Sequence, residues 1–463
     1  MSHTSSSQPA SRWLALVSIC VATFLIPQSM SAVNIALPVI ASELQADAVK
    51  LSWLSTVNLW ANVVLMLPAG RLADMIGAKR VYIFGTLCFA LSSLLVLVVQ
   101  DVDQLLVVRL LQGLSSSMVF GTAMAIVSSV FADSSRGTAL GLTSTSVYLG
   151  LTCGPLIGGW LTEYSGWRSV FWGPVPLIII AVLLVVVNVR LAKKEGKKER
   201  FDWTGSLLFT LWVTALFIGL SGLPEPLYLV LIGAGVVLLW CFVRQQLSVE
   251  YPLVRLRALR ENRVLNRSML TSLFMYGAHA PVLFLLSLYL QYIQGLSPTE
   301  SGQLILVQAL TMAFVSPLAG RLSDRFPAHL IATLGCLLFG AGFAILLMLD
   351  GQANTSLLVS GLFVQGLGFG LFSSPSSNAA LASVPRERLG IASSLLNLAR
   401  TQGNMFGMAI VVLLFNLMLG ATEIGPEQYP QLLTVIRFTL ALALGYTLLA
   451  AYFSYSRGRS EAA

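Results

Sequence analysis

The sequence GRLADMIGAKR occupies residues 70–80, and the related sequence GRLSDRFPAHL occupies residues 320–330. Each follows a long apolar stretch, opens with Gly-Arg-Leu and reaches an aspartate two positions later, at Asp74 and Asp324. Internal repeats of this kind are typical of membrane transporters. The two segments therefore indicate a duplication, and the sequence on either side of them gives its extent.

A second pair of matching segments has the same spacing in both parts of the chain. Residues 112–114 and residues 365–367 both read Gln-Gly-Leu. Gln112 precedes Gly137 by 25 residues, and Gln365 precedes Gly390 by 25 residues. The duplication therefore extends well beyond the first pair of segments.

The composition places the duplicated unit in a lipid bilayer. Of the 463 residues, 56% are hydrophobic and only 10% are charged, and the mean hydropathy is +0.80. A soluble domain carries about 25% charged residues, so this chain could not remain dispersed in water. The net charge of +8 is accordingly read as a topology signal, and no nucleic-acid partner is expected.

A spanning helix needs about 20 mostly apolar residues. By that measure the sequence predicts fourteen transmembrane helices, at residues 13–40, 50–69, 81–100, 104–131, 137–161, 168–189, 203–221, 227–243, 265–293, 301–319, 328–349, 354–379, 390–418 and 430–454. The duplication matches the first six helices to the last six. We therefore predict an all-α polytopic fold in which residues 1–202 and 263–463 form two pseudo-symmetric six-helix halves. Residues 203–262 supply two inserted linker helices with a structural role.

The basic residues predict the orientation in the membrane. If the N-terminus is cytoplasmic, 23 of the 28 lysines and arginines fall in connections on that side, two fall outside and three lie within helices. Such an asymmetry follows the positive-inside rule. We expect a multi-pass protein of the inner (plasma) membrane with both termini in the cytoplasm.

The loop GRLADMIGAKR is similar to the signature of the major facilitator superfamily between its second and third helices. The matching positions are Gly70, Asp74, Gly77, Lys79 and Arg80. Judged from the residues alone, a carboxylate among cations at a helix end can hold neighbouring helices together in one conformational state. The simpler alternative is a surface ion pair worth about 0–1 kcal/mol. The duplicated Asp324 and Arg325 favour conformational gating.

Two further segments carry the same resemblance. The sequence RLLQG contains Arg109, Gln112 and Gly113, and GLTCGPLIGG at residues 150–159 resembles the antiporter motif of the fifth helix. The antiporter motif comprises Gly150, Gly154, Pro155, Gly158 and Gly159. Glycines four apart form a flat strip that lets another helix pack closely, and proline can bend the helix.

Over nearly its whole length the chain resembles the fourteen-helix drug:proton antiporter branch of that superfamily, the DHA2 type of multidrug exporter. The resemblance implies a monomer that exports a small molecule by alternating access. The proton gradient would be the energy source, and no cofactor or metal is implied.

Ionisable groups within membrane helices are functional candidates. Arg109 and Gln112 lie one turn apart, and the resemblance associates Arg109 with proton relay. Arg400 lies between Asn397 and Asn404 on one predicted helix face. His279, near the centre of the ninth helix, is suited to proton exchange because imidazole titrates near neutral pH, although a merely hydrogen-bonded histidine is the commoner case.

The chain departs from cation exporters of the family in its first helix. Those proteins carry an acid in a pattern like D-x-T-I-V-N-x-A-L-P, whereas SMSAVNIALP has Ser29 at that position while keeping Asn34 and Pro38. A cavity with arginines and no acid favours a neutral or anionic substrate. Asn34 is itself a candidate for the substrate or proton pathway. Inner helices offer further polar or aromatic lining residues, namely Gln28, Asn58, Trp60, Asn62, Tyr148, Tyr276, Gln308 and Gln365.

Several alternatives remain at this point. A proton-coupled uptake permease would share every feature above. The sequence contains no HExxH, GxSxG or GxxxxGK[ST] motif, which disfavours a membrane-embedded enzyme or an ATP-driven pump. A channel is disfavoured by the two pseudo-symmetric halves. The coupling proton could be carried by His279, Asp74, Asp133 or the substrate itself.

Overall fold

The computed structural model describes residues 9–131, 133–189, 201–254, 256, 262–323, 325–349, 354–385 and 389–461, apart from the side chains of 9–11, 133–138, 144, 389–391 and 459–461. All fourteen predicted helices are present, and each is long and apolar enough to cross a membrane. They are α1 (Pro9–Leu44), α2 (Ala48–Ile76), α3 (Ala78–Leu95), α4 (Val102–Val130), α5 (Asp133–Ser165), α6 (Ser169–Trp172 and Val175–Asn188), α7 (Trp203–Gly222), α8 (Pro226–Ser248), α9 (Arg263–Leu288), α10 (Pro298–Ser323), α11 (Ala328–Leu346), α12 (Thr355–Ala382), α13 (Leu389–Met418) and α14 (Tyr429–Glu461).

Two helices depart from the regular α-helices that hydropathy predicts. Helix α6 is interrupted at Gly173 and Pro174, where proline has no backbone N–H to continue the hydrogen-bond ladder. Helix α9 continues into a π-helical turn at Tyr289–Ile293. Both irregularities involve about one turn, which is too short to change the hydropathy of a twenty-residue span.

Polar side chains set where many of the helices begin. Asp47, Asp101 and Asp202 accept hydrogen bonds from the backbone N–H groups of Lys50, Gln104 and Gly205, at 2.7 to 2.8 Å. Asn262 and Asn354 do the same for α9 and α12. Such caps satisfy N–H groups that a helix leaves without an internal partner. Short polar connections therefore separate the apolar spans.

The helices pair in the same way in the two halves. In the N-terminal half α1 packs against α5 and α6, and both α2 and α3 pack against α4. In the C-terminal half α9 packs against α13 and α14, and both α10 and α11 pack against α12. Adding eight to each N-terminal helix number gives its C-terminal counterpart, so the sequence duplication is also a duplication of packing.

The repeated Gln-Gly-Leu segments have a direct structural reason. A Cβ added at Gly113 would overlap the carbonyl oxygen of Asn58 in α2, and one added at Gly366 would lie 2.6 Å from the carbonyl oxygen of Gln308 in α10. Each glycine therefore lets two helices cross at backbone contact. The two crossings occupy equivalent places in the two halves.

Of the two inserted helices, α7 lies across the junction between α2 and α13, and α8 packs against α7. Trp60 of α2 donates to the hydroxyl of Thr214 at 3.2 Å, and Asn416 of α13 donates to the carbonyl of Ser221 at 2.7 Å. The buried carboxylate of Asp202 accepts hydrogen bonds from two glutamines at the end of α8, which holds the pair together. The inserted pair thus contacts both halves.

The two halves meet most closely on the face opposite the chain termini, which we call the distal face. The N–H of Ala48 donates to the carbonyl of Thr422 at 2.9 Å, and the N–H of Thr299 donates to the carboxylate of Glu163 at 3.2 Å. A Cβ at Gly159 would overlap the carbonyl oxygen of Pro298. The structure is therefore a state closed on the distal face.

Candidate transport site

Arg400 is the centre of a polar cluster midway along the helices. Its guanidinium donates to the hydroxyl of Ser377 in α12 at 2.7 Å and lies 5.5 Å from the ring centre of Tyr276 in α9. In the described part of the chain no ion pair involves Arg400, so no described carboxylate neutralises its charge. A cation held by a hydroxyl and an aromatic face can accept an anionic or strongly polar ligand group.

The cluster reaches across the seam between the halves. The hydroxyl of Tyr276 lies 3.3 Å from the hydroxyl of Tyr148 in α5, a distance that allows either oxygen to donate. Tyr148 belongs to the N-terminal half, and Tyr276, Arg400 and Ser377 belong to the C-terminal half. A ligand at this position would therefore contact both halves.

Two polar atoms of the cluster are buried without a hydrogen-bond partner among the described residues. They are Nε of Arg400 and Oδ1 of Asn404, one helical turn apart on α13. Buried polar groups are rarely left unpaired without a functional reason. Together they offer a donor and an acceptor to a ligand. Asn397 lies on the same face and is partly buried.

His279 lies one turn from Tyr276 on α9. Its ring packs at 4.8 Å from the ring of Phe369 and at 5.9 Å from that of Phe339. The histidine is partly buried, at the edge of an aromatic cluster that also contains Tyr276. It is thus close to the Arg400 cluster, and its predicted role in proton exchange stays a prediction.

The structure places Arg109 and Gln112 in a separate network inside the N-terminal half. The guanidinium of Arg109 donates to the carbonyl of Leu54 and to the side chain of Gln112, both at 3.0 Å. Gln112 donates to the hydroxyl of Ser93 at 2.8 Å. Both residues are almost fully buried. This arrangement ties α2, α3 and α4 together, and the predicted proton relay by Arg109 stays a prediction.

The loop residues after α2 lie at the face that carries the termini. Gly77 has a φ of 102°, a conformation that favours glycine. Lys79 donates to the carbonyls of Val186 and Val189 at 2.8 and 2.7 Å, which complements the C-terminal end of α6.

The other residues of this loop motif are more open. Asp74 and Arg80 are exposed, and Gly70 has open space around it. In the second copy Arg325 is exposed, and Asp324 lies outside the described residues.

The glycines of the α5 motif face α1. A Cβ at Gly150 would overlap the carbonyl oxygen of Phe24, and one at Gly154 or Gly158 would lie 2.6 Å from atoms of Ser31 or Ala32. Gly159 faces α10 instead. The motif therefore packs α5 against both α1 and the opposite half.

Proline makes a second contribution to that packing. Pro155 has no N–H to bond the carbonyl of Leu151, four residues earlier. The hydroxyl of Ser31 in α1 donates to this carbonyl at 3.1 Å. The bend-forming residue thus creates an acceptor between two helices.

Some contributing residues give little signal in the sequence. Ser377 is one of many serines in the apolar helices. Gly403 and Gly407 let α13 approach α9 just as the α5 strip approaches α1, because a Cβ on either would overlap a backbone carbonyl oxygen. The spacing of four between these two glycines is the signal that could have found them. Ser29, at the position of the missing acid, is buried and donates to the carbonyl of Val170.

No metal or cofactor site is indicated by the described side chains, which contain no group of three histidines, cysteines, aspartates or glutamates. The five cysteines are unpaired and lie in five different helices. The arrangement can bind a ligand through Arg400, but it holds no set of groups arranged for covalent chemistry.

Comparison with known proteins relates the sequence to transporters. The profile described as Major Facilitator Superfamily matches residues 19–408. The chain is 29% identical over 402 residues to the riboflavin transporter RibZ of Clostridioides difficile, covering 86% of this chain and 87% of RibZ. It is 31% identical over 410 residues to the puromycin resistance protein pur8 of Streptomyces alboniger, covering 86% and 81%.

A solved structure shares the architecture. A bacterial homologue of the human lysosomal transporter Spinster, described as inward-facing and unoccupied, superimposes with a TM-score of 0.70 at 15% identity and covers 98% of both chains. At that identity the likeness shows the fold alone.

Proposed function

Since the chain belongs to the Major Facilitator Superfamily, we propose that it exports a neutral or anionic small organic molecule in exchange for protons. The chain is a secondary transporter of small molecules and not an enzyme, as its family and its transporter relatives show. The direction, the proton coupling and the charge of the substrate are the proposed parts.

The position of Arg400 is the single observation that carries the proposal. Its charge lies at the seam between the halves, next to the tyrosine pair, without a described carboxylate to balance it. A substrate carboxylate or carbonyl would supply the missing partner. A cationic substrate would add a second positive charge to a site of low dielectric, where like charges repel strongly.

The first helix supports the same substrate class. Ser29 stands where cation exporters that the chain resembles have an acid, and its hydroxyl is already bonded to Val170. The names of the relatives point to different substrates for this chain. The riboflavin transporter suggests a metabolite, and the puromycin resistance protein suggests a drug. A planar molecule with an amide edge would accept a hydrogen bond from Arg400 through its carbonyl and donate one to Asn404 Oδ1 through its N–H.

The mechanism we propose is alternating access. The two halves rock about the Arg400 cluster, so that the site opens in turn to each face. The face that carries the termini is cytoplasmic in this proposal, because the basic residues collect there, and the membrane is the inner membrane. Residues 1–202 and 263–463 act as the two rocking units, residues 203–262 link them, and the chain works as a monomer.

The coupling proton has two described candidates. His279 is close to the substrate cluster, and its imidazole is a group that can bind and release a proton. Asp74 lies exposed at the face that carries the termini. It belongs to the loop predicted to act in conformational gating, so a change of its charge would affect that gating. Uptake of a metabolite is the second candidate function. The similarity to the riboflavin transporter RibZ supports a metabolite as the substrate, but it does not indicate the direction of transport.

Proteoliposomes with an imposed pH gradient test the proposal. We expect accumulation of a neutral planar compound such as riboflavin, or of an aromatic carboxylate such as salicylate, against its gradient and opposite to the flow of protons. The cation ethidium should not accumulate. Pumping of ethidium without movement of the neutral or anionic probes would overturn the assignment of the substrate class. Movement of a substrate in the same direction as protons would establish uptake.

A further inference from the structure

The N-terminal half and the C-terminal half are hydrogen-bonded through the backbone of α1 near the distal face. The hydroxyl of Ser287 in α9 donates to the carbonyl of Asn34 at 2.8 Å. The side-chain amide of Gln291 donates to the carbonyl of Ile35 at 2.9 Å and to Ser287 at 3.2 Å. Ser287 is fully buried. Side chains of one half therefore hold main-chain atoms of the other.

Pro38 explains why a carbonyl of α1 is available for this contact. In an α-helix the carbonyl of residue 34 accepts from the N–H of residue 38. Proline has no N–H, so the carbonyl of Asn34 lacks its helical donor. A buried carbonyl without a donor is costly, and Ser287 supplies the missing hydrogen bond.

The partner region of α9 is also irregular. The π-helical turn at Tyr289–Ile293 contains Gln291, and the N–H of Gln294 closes the turn on the carbonyl of Tyr289 at 3.1 Å. Such turns are rare and often occur at functional sites. Helices α1 and α9 therefore meet at the places where each departs from regular geometry.

The side chain of Asn34 extends the contact to a third helix. Its Oδ1 accepts a hydrogen bond from the hydroxyl of Ser55 in α2 at 2.8 Å. The resulting polar chain runs from Ser55 through Asn34 to Ser287 and Gln291. The residues next to these in sequence include Val33, Leu54, Leu286 and Leu288, which are buried members of one hydrophobic cluster. Nothing in the proposed binding of substrate or proton uses these groups.

We propose that Asn34, Pro38, Ser287 and Gln291 form a latch that keeps the distal face shut. The proposal of a latch depends on the alternating access of the proposed function. It does not depend on the identity of the substrate or on proton coupling. When the halves separate on the distal face, water replaces Ser287 at the Asn34 carbonyl. No helical hydrogen bond has to break, because Pro38 has no N–H with which to form one. The latch therefore closes with a specific hydrogen bond and opens without unwinding α1.

Hydrogen exchange of the full-length protein in lipid nanodiscs, followed by mass spectrometry, tests the latch without any substrate. Ser287→Ala removes the donor. We expect exchange at residues 31–44 and 284–293 to become about two- to tenfold faster, as the loss of one buried hydrogen bond predicts. Exchange at the opposite end of α9, residues 263–275, should slow as the population shifts toward the distal-open state.

Ser301→Ala is the matched control. Ser301 is also fully buried, in the first turns of α10, but its hydroxyl has no hydrogen-bond partner among the described residues. Gln291→Met is a second variant and should accelerate exchange in the same two segments. If Ser287→Ala and Gln291→Met both match Ser301→Ala, the latch is wrong. If the latch variants shift exchange but no probe is transported, the latch stands and the proposed substrate class fails.

Discussion

The hydroxyl of Tyr148 in α5 lies 3.3 Å from the hydroxyl of Tyr276 in α9, so one hydrogen bond joins the two halves beside Arg400. Other hydrogen bonds between the halves lie nearer the distal face, among them those at Asn34, Ile35, Ala48 and Glu163. The tyrosine pair is thus the contact between the halves that lies next to Arg400. A group bound beside this pair would contact both halves at once.

Replacing Arg400 should remove the ligand's charge partner. We expect Arg400→Ala to lower kcat/KM for an anionic or carbonyl-bearing substrate by about 10- to 100-fold, the range for a lost charge-assisted hydrogen bond. Initial rates in proteoliposomes measure the effect. Arg437→Ala is the control, because Arg437 donates to the carbonyl of Leu349 at the end of α11. Equal losses in the two variants would contradict a binding role for Arg400.

Tyr148→Phe should change the movement of the halves more than the binding of substrate. The variant keeps the ring and loses only the hydrogen bond to Tyr276, which is worth about 0.5–1.5 kcal/mol. We expect a change of about two- to tenfold in the turnover rate with a smaller change in KM. Tyr164→Phe is the control, since Tyr164 is 68% exposed on the outside of α5. An effect confined to KM would indicate that the hydroxyl binds substrate instead.

The sequence predicted the number and order of the helices because hydropathy over twenty residues is a strong and local signal. It also singled out Arg400, Asn404, Tyr276 and His279 as candidates, and the structure brings them close together, while their role in transport stays a prediction. It did not predict which neighbours each polar residue would meet. Arg109 and Arg400 look alike in sequence, yet Arg109 is bonded within one half and Arg400 faces the seam.

The irregularities of the fold were the harder part to predict. The break in α6 and the π turn after α9 each involve about one turn, and their effect depends on the helix that packs beside them. Pro38 was visible as part of SMSAVNIALP, but its proposed role follows only from the position of Ser287, which is 253 residues from Asn34 in the chain. Contacts of this kind join helices that no local pattern relates.

The glycine strip of α5 should be sensitive to a single methyl group. At Gly154 an added Cβ would lie 2.6 Å from the Cβ of Ser31 and 2.8 Å from the carbonyl oxygen of Gln28, so α1 and α5 would have to separate. We expect Gly154→Ala to destabilise the protein by about 1–3 kcal/mol, as overpacking does, and to lower transport. Thermal unfolding in detergent measures the first effect.

The same helix supplies the control for that substitution. Gly141 has no atom within 4 Å of an added Cβ, so Gly141→Ala should leave both the melting temperature and transport close to wild type. Similar losses at both positions would show that helix flexibility matters rather than the contact with α1.

His279→Phe separates proton coupling from the structure of the site. Phenylalanine keeps the packing of the ring against Phe369 and Phe339 but cannot carry a proton. If His279 carries the coupling proton, the variant should still equilibrate substrate down its own gradient, while an imposed pH gradient should no longer drive accumulation. Asp74→Asn, which acts at the terminal face, should slow both processes and keep their ratio. Accumulation by His279→Phe at the wild-type level would assign the proton to another group, and loss of accumulation in Asp74→Asn alone would assign it to Asp74.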